Sequence, residues 1–289
     1  MNPRRLLKDA LIHSLTGVRV DALARARKRG PNNPNVRVIL AHGTPRSSVD
    51  AFRRQLEWVT KHFELIDFER FKRLLADPAS RPDRPAALYT FDDGLLSNYE
   101  FGAPLLEEFG VRGVFFAVPG FAQTPDPAAA KAYYKQRLYP VDTPDHLPMS
   151  PAQLRDLAVR GHTIGNHTYS HVRLSDTLEA DLRHEIDRSA DMLESWIGRP
   201  VEAFAWTSYW NAISPAAYRA ITARHRYVFT PCPGRVVAGT TSRSLLWRTN
   251  AEAWADPALA RFVISGLADP LWALRRRRLA ALLGVPHAG

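Results

Sequence analysis

Residues 86–94 have the sequence AALYTFDDG, an apolar run that ends in two adjacent carboxylates and a glycine. The run predicts a buried β-strand, because its residues are apolar, aromatic or β-branched. Asp92 and Asp93 would then stand at the carboxyl end of this strand, where α/β folds place their reactive groups. A simple turn is the alternative, since Asp-Gly is a common turn dipeptide.

Two ionised carboxylates side by side repel each other, and a bound cation would relieve that repulsion. One carboxylate could bind a metal ion while the other stays free as a base. Asp93 and Asp92 would divide these tasks, and Gly94 would let the backbone turn sharply and approach a ligand. Unless the segment is only a turn, it indicates a metal-dependent catalytic site.

Around this segment, apolar β-branched runs alternate with amphipathic stretches along the chain. Strands are predicted at residues 36–43, 64–68, 86–92, 111–118, 162–167, 201–206 and 226–231. Helices are predicted between them, among others at residues 48–63, 97–110, 150–161 and 176–198. This pattern of about seven β-then-α units predicts a mainly parallel sheet covered by helices, either open or closed into a barrel.

A second polar segment, GHTIGNHTYSH at residues 161–171, follows another predicted strand. His167 and His171 stand four residues apart, and imidazoles at this spacing can lie on one face of a helix and bind one ion. With Asp93 they would supply the two nitrogens and one oxygen of a catalytic zinc site with open positions. His162, at the start of the segment, is predicted to be structural.

The 289-residue chain has a net charge of +10 that is concentrated at its two ends. Residues 1–30 sum to +6 and residues 271–289 to +4, which leaves the middle neutral and argues against a nucleic-acid-binding face. Both ends also carry leucines at helical spacing, so they could lie on an anionic membrane surface. The alternative is a solvated basic terminus whose leucines pack on the body of the protein.

We therefore divide the chain into a basic amphipathic segment (1–30), a single catalytic domain (31–270) and a basic tail (271–289). The single cysteine, Cys232, excludes an intrachain disulfide and a multi-cysteine metal site, and we expect it to be buried. No apolar run could span a membrane, and the N-terminus lacks the continuous apolar region of a signal peptide. We expect a cytoplasmic protein that could associate with the inner face of the membrane through its basic ends.

Taken together, TFDDG at residues 90–94 and HTYSH at residues 167–171 resemble the polysaccharide deacetylases, the NodB-homology proteins of carbohydrate esterase family four. The resemblance covers about residues 36–250. It implies an α/β fold of one catalytic domain, a distorted (β/α)7-type barrel.

The resemblance also implies a role for each polar residue of the two motifs. Asp92 would be the catalytic base, and a divalent metal ion would be held by Asp93, His167 and His171. The ion would polarise the acetamide carbonyl while Asp92 removes a proton from water, giving acetate and a free amino sugar. Zinc is expected from the ligand types, although cobalt, nickel or manganese would suit the same set.

Residues 203–211, AFAWTSYWN, stand where the family's third motif usually carries an arginine and a proline, and they contain neither. The missing arginine leaves open how Asp92 is tuned. Three aromatic residues of this segment could form a wall on which a sugar stacks, namely Trp206, Tyr209 and Trp210. Ordinary aromatic packing is the alternative.

The family's last motif, Leu-x-His, supplies the general acid and has no match after residue 231. His42, in LAHGTP at the end of the first predicted strand, is the best substitute and is predicted to be the catalytic acid. A core or turn histidine is the alternative interpretation of His42. A metal-bound water or a substrate group could then take the place of the acid.

The sequence thus predicts metal-dependent hydrolytic N-deacetylation of an acetylated amino sugar in surface-glycan biosynthesis. The sugar could be nucleotide-linked, lipid-linked or part of an oligosaccharide. Two alternatives stay open: a deformylase or deacylase of another amide on the same fold, and a non-catalytic relic that only binds glycans. No nucleic-acid partner is expected, and the sequence does not specify the oligomeric state.

Overall fold

The computed structural model describes residues 35–286, except residues 78, 80, 81, 83, 125 and 140–145. The basic amphipathic segment predicted at residues 1–30 lies outside the described residues. Within the described range, the predicted alternation of strands and helices runs through the whole domain.

Ten strands of the described chain form one sheet. They are β1 (Asn35–Ala41), β2 (Glu64–Leu65), β3 (Ala86–Phe91), β4 (Val114–Ala117), β5 (Thr163–Asn166), β6 (Ala203–Ala205), β7 (Tyr227–Thr230), β8 (Val236–Val237), β9 (Leu246–Trp247) and β10 (Thr249–Asn250). The strand order is β10-β1-β3-β4-β5-β6-β7-β9, and all pairs along it are parallel. β2 adds to β3 in parallel, and β8 pairs with β1 antiparallel.

One short stretch of chain joins the two ends of this sheet. β9 pairs with β7, β10 pairs with β1, and only Arg248 separates β9 from β10. Residues 246–250, which we call the closing strand, therefore bridge both edges and nearly close the sheet into a barrel. The predicted distorted (β/α)7-type barrel is confirmed, whereas the sequence analysis does not predict the closing strand.

Helices surround the barrel. The α-helices are α1 (Val49–His62), α2 (Phe68–Ala76), α3 (Ala103–Glu108), α4 (Pro119–Ala122), α5 (Pro127–Tyr133), α6 (Pro151–Val159), α7 (Glu179–Arg183), α8 (Ser189–Ile197), α9 (Pro215–Arg224), α10 (Pro257–Ile264) and α11 (Ala273–Leu282). Short 3-10 turns lie at Arg46–Ser48 and Asp269–Trp272, and π-helical turns at Asn98–Gly102, Tyr134–Leu138 and His184–Arg188. The helix predicted at residues 176–198 is thus α7, a π-helical turn and α8 in one run.

Alternate residues of the strands face two separate apolar layers, because side chains along a strand point to opposite faces. In β3, Leu88 lies inside the barrel with Phe116 and Phe229 from other strands. Phe91 points outward into a cluster with buried residues of α1, α3 and α6. The same period of two directs the residue after β3, Asp92, toward the inside of the barrel.

The C-terminal helix α11 packs on the barrel through one side only. Leu279 and Ala280 are buried in a cluster that also contains Trp206 and Cys232. The residues predicted as a basic tail, 271–289, thus include a helix that is anchored to the domain. Among the described helices, none combines the length and apolar composition needed to cross a membrane.

Candidate active site

Polar side chains gather where three parallel strands of the sheet end. His42 follows β1, Asp92 and Asp93 follow β3, and His167 follows β5, with His171 four residues further on. Since parallel strands end at the same rim of a barrel, their carboxyl ends meet there. The structure brings all of these predicted site residues to this rim.

A left-handed turn aims the two aspartates at the same place. In an extended strand neighbouring side chains point apart, but Asp93 has φ 72° and Gly94 has φ 70°. Both carboxylates therefore approach the same imidazole: Asp92 Oδ2 lies 3.8 Å and Asp93 Oδ1 3.6 Å from His167 Nε2. Left-handed backbone at a non-glycine residue costs about 1–2 kcal/mol and is typical of functional sites.

Asp93, His167 and His171 form a compact cluster that could hold a metal ion. One ligand atom from each lies within 4.8 Å of the others, and His171 Nε2 is 3.4 Å from Asp93 Oδ1. Asp93 Oδ1 is buried and has no hydrogen-bond partner, although a buried carboxylate oxygen without a partner is costly. A cation between the three groups would satisfy it, so the residues fit a divalent metal ion.

The charge state of Asp93 also suits a cation. Burial opposes its ionisation, but the neighbouring imidazoles of His167, His171 and His42 outweigh burial and hold the pKa of Asp93 well below its usual range. Burial is the main cause that lowers the pKa of His171, which favours the neutral imidazole. A neutral imidazole and an ionised carboxylate are the forms that bind metals.

Hydrogen bonds orient both imidazoles so that Nε2 faces Asp93. His167 Nδ1 donates to the carbonyl of Ala205 (2.7 Å), and His171 Nδ1 donates to the carbonyl of Arg137 (2.9 Å). With its proton on Nδ1, each ring presents the lone pair of Nε2, as metal-binding histidines do. The two histidines do not use the helical geometry that their spacing allows: they lie in a loop, where Thr168 and His171 have positive φ angles.

Asp92 is paired with a buried arginine from the closing strand. Arg248 donates from Nη1 and Nη2 to the two carboxylate oxygens of Asp92, at 2.6 and 2.9 Å, and its side chain is fully buried. Arg248 Nε donates to the carbonyl of Thr230, and the guanidinium lies 5.4 Å from the ring centre of Phe116. This bidentate contact fixes the plane of the carboxylate inside the barrel.

His42 is paired with Glu252, two residues after the closing strand. His42 Nδ1 is 2.7 Å from Glu252 Oε1, and the backbone N–H of His42 donates to Glu252 Oε2. Burial lowers the pKa of His42, but the charges of Glu252, Asp93 and Asp92 outweigh burial and raise this pKa to about 10. At neutral pH His42 is therefore an imidazolium whose Nε2 can donate a proton.

The three aromatic residues predicted to stack on a sugar do not lie in one wall. Trp206 is 1% exposed and packs in the cluster of α11 and β6, on the same face as Phe204. Tyr209 is 72% exposed, and the half-buried Trp210 lies 5.7 Å from the guanidinium of Arg275. Trp206 thus has the packing role named as the alternative, since the period of two in β6 points it away from the barrel interior.

Two further residues are structural, as expected. His162 is buried, its Nε2 lies 2.9 Å from Glu107 Oε1, and its Nδ1 accepts from the backbone N–H of Gly113. Burial lowers the pKa of His162 to about 4, so the ring is neutral. Cys232 is buried as well, and burial raises the pKa of its thiol to about 12.

Arg248 and Glu252, which pair with the two predicted catalytic residues, are not predicted from the sequence. One signal was available for Arg248: it is the single charged residue within the apolar run of residues 245–249, and a buried charge needs a partner. No local signal distinguishes Glu252 from a surface glutamate, because its partner lies 210 residues away.

The protein is thus an α/β barrel with a candidate metal centre at the carboxyl ends of its strands. The sequence profile of the family described as polysaccharide deacetylase matches residues 79–223. The chain therefore belongs to the polysaccharide deacetylase family, as the motifs indicate. The match contains both motifs and ends before Arg248 and Glu252.

Several solved structures share this fold. IcaB from Ammonifex degensii has a TM-score of 0.62 at 19% identity, covering 80% of this chain and 98% of its own. The deacetylase PplD of Streptococcus pyogenes, in complex with acetate, has a TM-score of 0.61 at 16% identity, covering 80% and 99%. The BpsB deacetylase domain from Bordetella bronchiseptica has a TM-score of 0.59 at 20% identity, covering 77% of this chain and 98% of its own. At these identities the likeness concerns the fold, and no curated protein matches the sequence.

Proposed function

We propose that the protein is a metal-dependent hydrolase that removes the acetyl group from the nitrogen of an acetylated amino sugar. Family membership supports carbohydrate deacetylation. The observation that carries the finer proposal is the division of labour at residues 92 and 93. Asp93 presents a buried, unsatisfied oxygen between two imidazoles, while Asp92 is held beside it by Arg248.

Asp93, His167 and His171 would hold the metal ion, and the ligand types favour zinc over cobalt, nickel or manganese. A divalent ion bound there would act as a Lewis acid on the amide carbonyl. Asp92 would not be a ligand, because Arg248 already binds both of its oxygens. The ion pair keeps the carboxylate oriented, and each oxygen keeps a lone pair for the proton of the attacking water.

His42 is proposed as the general acid. Glu252 accepts from Nδ1 and keeps the ring protonated, so Nε2 carries a proton at neutral pH. As the C–N bond breaks, that proton would pass to the leaving nitrogen, and the hydroxide from water would stay on the acetyl carbon. Acetate and a free amine are the balanced products.

We place this reaction in surface-glycan biosynthesis, on a nucleotide-linked, lipid-linked or oligosaccharide substrate. The exposed ring of Tyr209 stays the best candidate for a sugar contact. Deformylation or deacylation of another amide is the second candidate, because the rim residues act on the amide and not on the sugar. The pairing of Asp92 with the buried Arg248 and of His42 with the partly buried Glu252 argues against a relic that only binds glycans.

The direct experiment measures acetate and formate release from a panel of N-acetylated and N-formylated amino sugars. Wild type would be assayed chelated and reloaded with zinc, beside Asp92→Asn and the surface control Asp50→Asn. We expect zinc-dependent acetate release that is lost in Asp92→Asn and retained in Asp50→Asn. Formate without acetate would replace the proposal by the deformylase, and release that Asp92→Asn leaves unchanged would refute the proposed base.

A further inference from the structure

The C-terminal part of the domain exposes three large apolar side chains to solvent. Leu271 is 76%, Leu274 59% and Leu282 53% exposed. They share one side of the Asp269–Trp272 turn and helix α11 with exposed arginines. We call this side the arginine–leucine face; its members are Leu271, Leu274, Arg275, Arg277, Arg278 and Leu282.

The outward orientation of this face is fixed by packing on the opposite side. Leu279 is completely buried, and Ala280 is nearly so. Arg276 Nη1 donates to the carbonyls of Pro233 (2.7 Å) and Asp269 (3.1 Å), which ties the helix to the loop after β7. The three leucines are therefore held in solvent by a well-anchored helix.

The charge of the face is uniformly positive. The sequence has no acidic residue after Asp269. Within the described part of the chain, the guanidiniums of Arg277 and Arg278 have no carboxylate partner, and that of Arg275 lies 4.4 Å from the ring centre of Trp272. Exposed leucines beside arginines offer both apolar contact and positive charge to the surface of an anionic membrane.

An apolar groove adjoins the face. It has a volume of about 410 Å³ and lies between α10 and the Asp269–Trp272 turn. Its wall includes Leu259, Phe262, Leu271 and Arg275, and also Asp269, whose carboxylate is neutralised by Arg37 at 2.9 Å. An acyl chain in this groove would place its headgroup near the arginines, so shape and charge both favour a lipid.

We propose that the arginine–leucine face docks the protein on the surface of an anionic lipid membrane. The leucines enter the interface between headgroups and acyl chains, and the arginines bind the anionic headgroups. This inference goes beyond the proposed function, because docking is independent of which amide is hydrolysed. Through Arg275 the face contacts Trp210 in the loop after β6, which starts at the same rim as the candidate active site.

The test is flotation of the full-length chain with vesicles of phosphatidylcholine alone, or of phosphatidylcholine mixed with phosphatidylglycerol. One variant combines Arg277→Glu and Arg278→Glu, and another combines Leu271→Ser, Leu274→Ser and Leu282→Ser. The charge control combines Arg54→Glu and Arg219→Glu, which are exposed elsewhere on the domain. The apolar control combines Val159→Ser and Leu178→Ser, which are 81% and 71% exposed away from the face.

We expect wild type to bind the anionic vesicles and not the neutral ones. Each face variant should weaken binding at least about tenfold, and both controls should bind as wild type does. Unchanged thermal melting would show that the face variants fold. Failure of wild type to bind anionic vesicles, or equal losses in the controls, would overturn the proposal. So would a wild-type dimer in sedimentation that the leucine variant converts to monomers, because the face would then be a subunit interface.

Discussion

The two sides of the candidate site are built in different ways. On the metal side, Asp93, His167 and His171 come from two short motifs, and local turns and backbone carbonyls orient them. On the proton-transfer side, Asp92 and His42 depend on Arg248 and Glu252, which are 156 and 210 residues away along the chain. The proposed metal ligands thus come from two short motifs, whereas the proposed base and acid are held by residues that closure of the barrel brings to the rim.

This difference predicts that, of the two ion pairs at the site, Arg248–Asp92 contributes more to the free energy of unfolding. Arg248→Met should lower the free energy of unfolding by about 3–5 kcal/mol, because it leaves the buried carboxylate of Asp92 without its cation. Urea denaturation of the metal-free protein measures this change. The double variant Arg248→Met with Asp92→Asn should regain much of the lost stability and stay inactive. If Arg248→Met alone is as stable as wild type, closure of the barrel does not depend on this pair.

Substitution of a proposed metal ligand should lower the affinity of the protein for zinc. Asp93→Asn removes the anionic ligand, and we expect zinc affinity to fall at least about a hundredfold, since loss of even a supporting residue costs 10–100-fold. Isothermal titration of the chelated protein with zinc measures this change. Asp176→Asn, an exposed aspartate outside the cluster, serves as the matched control. Equal zinc affinity in Asp93→Asn and wild type would exclude the proposed centre.

The His42–Glu252 pair should appear in the pH dependence of stability. The pKa of His42 is raised to about 10 in the folded protein, compared with an ordinary value of about 6.5. The stabilisation of the folded state by protonated His42 is therefore complete below about pH 6.5 and is lost as the pH rises through about 10. Between pH 7 and 10 the free energy of unfolding of the wild type should therefore fall more steeply than that of Glu252→Gln, by up to about 1 kcal/mol per pH unit. Urea denaturation of both metal-free proteins across this range tests the prediction. Parallel stability curves would mean that Glu252 does not hold the proton on His42.

The smallest effect is expected at the rim. Tyr209→Ala should change the free energy of unfolding by less than about 0.5 kcal/mol, because its side chain is mostly exposed. It should raise KM several-fold and leave kcat nearly unchanged if the ring binds the sugar.

By contrast, Trp206→Ala should destabilise the domain by about 3–5 kcal/mol, because its ring is buried. An unchanged KM in Tyr209→Ala would remove Tyr209 from the substrate site.

The sequence permits prediction of the features whose signals are local. Alternating strands and helices predict a parallel sheet covered by helices, and the family resemblance of the two motifs implies the barrel. The same motifs predict the residues at its rim. The closing strand escapes prediction because it is two short strands flanking an arginine, and its pairing depends on strands far away in the sequence. The position of Trp206 was open to prediction, since the alternation in AFAW sets the small alanines inside the barrel and Phe204 and Trp206 outside.

The most direct test of the division of labour is a crystal structure of the zinc-loaded protein with the ion located by anomalous scattering. We expect one zinc ion bound by a carboxylate oxygen of Asp93 and by Nε2 of His167 and of His171, with Asp92 still paired with Arg248. An ion bound by both aspartates, with Arg248 released, or an ion bound elsewhere, would refute the proposed division of roles between Asp92 and Asp93.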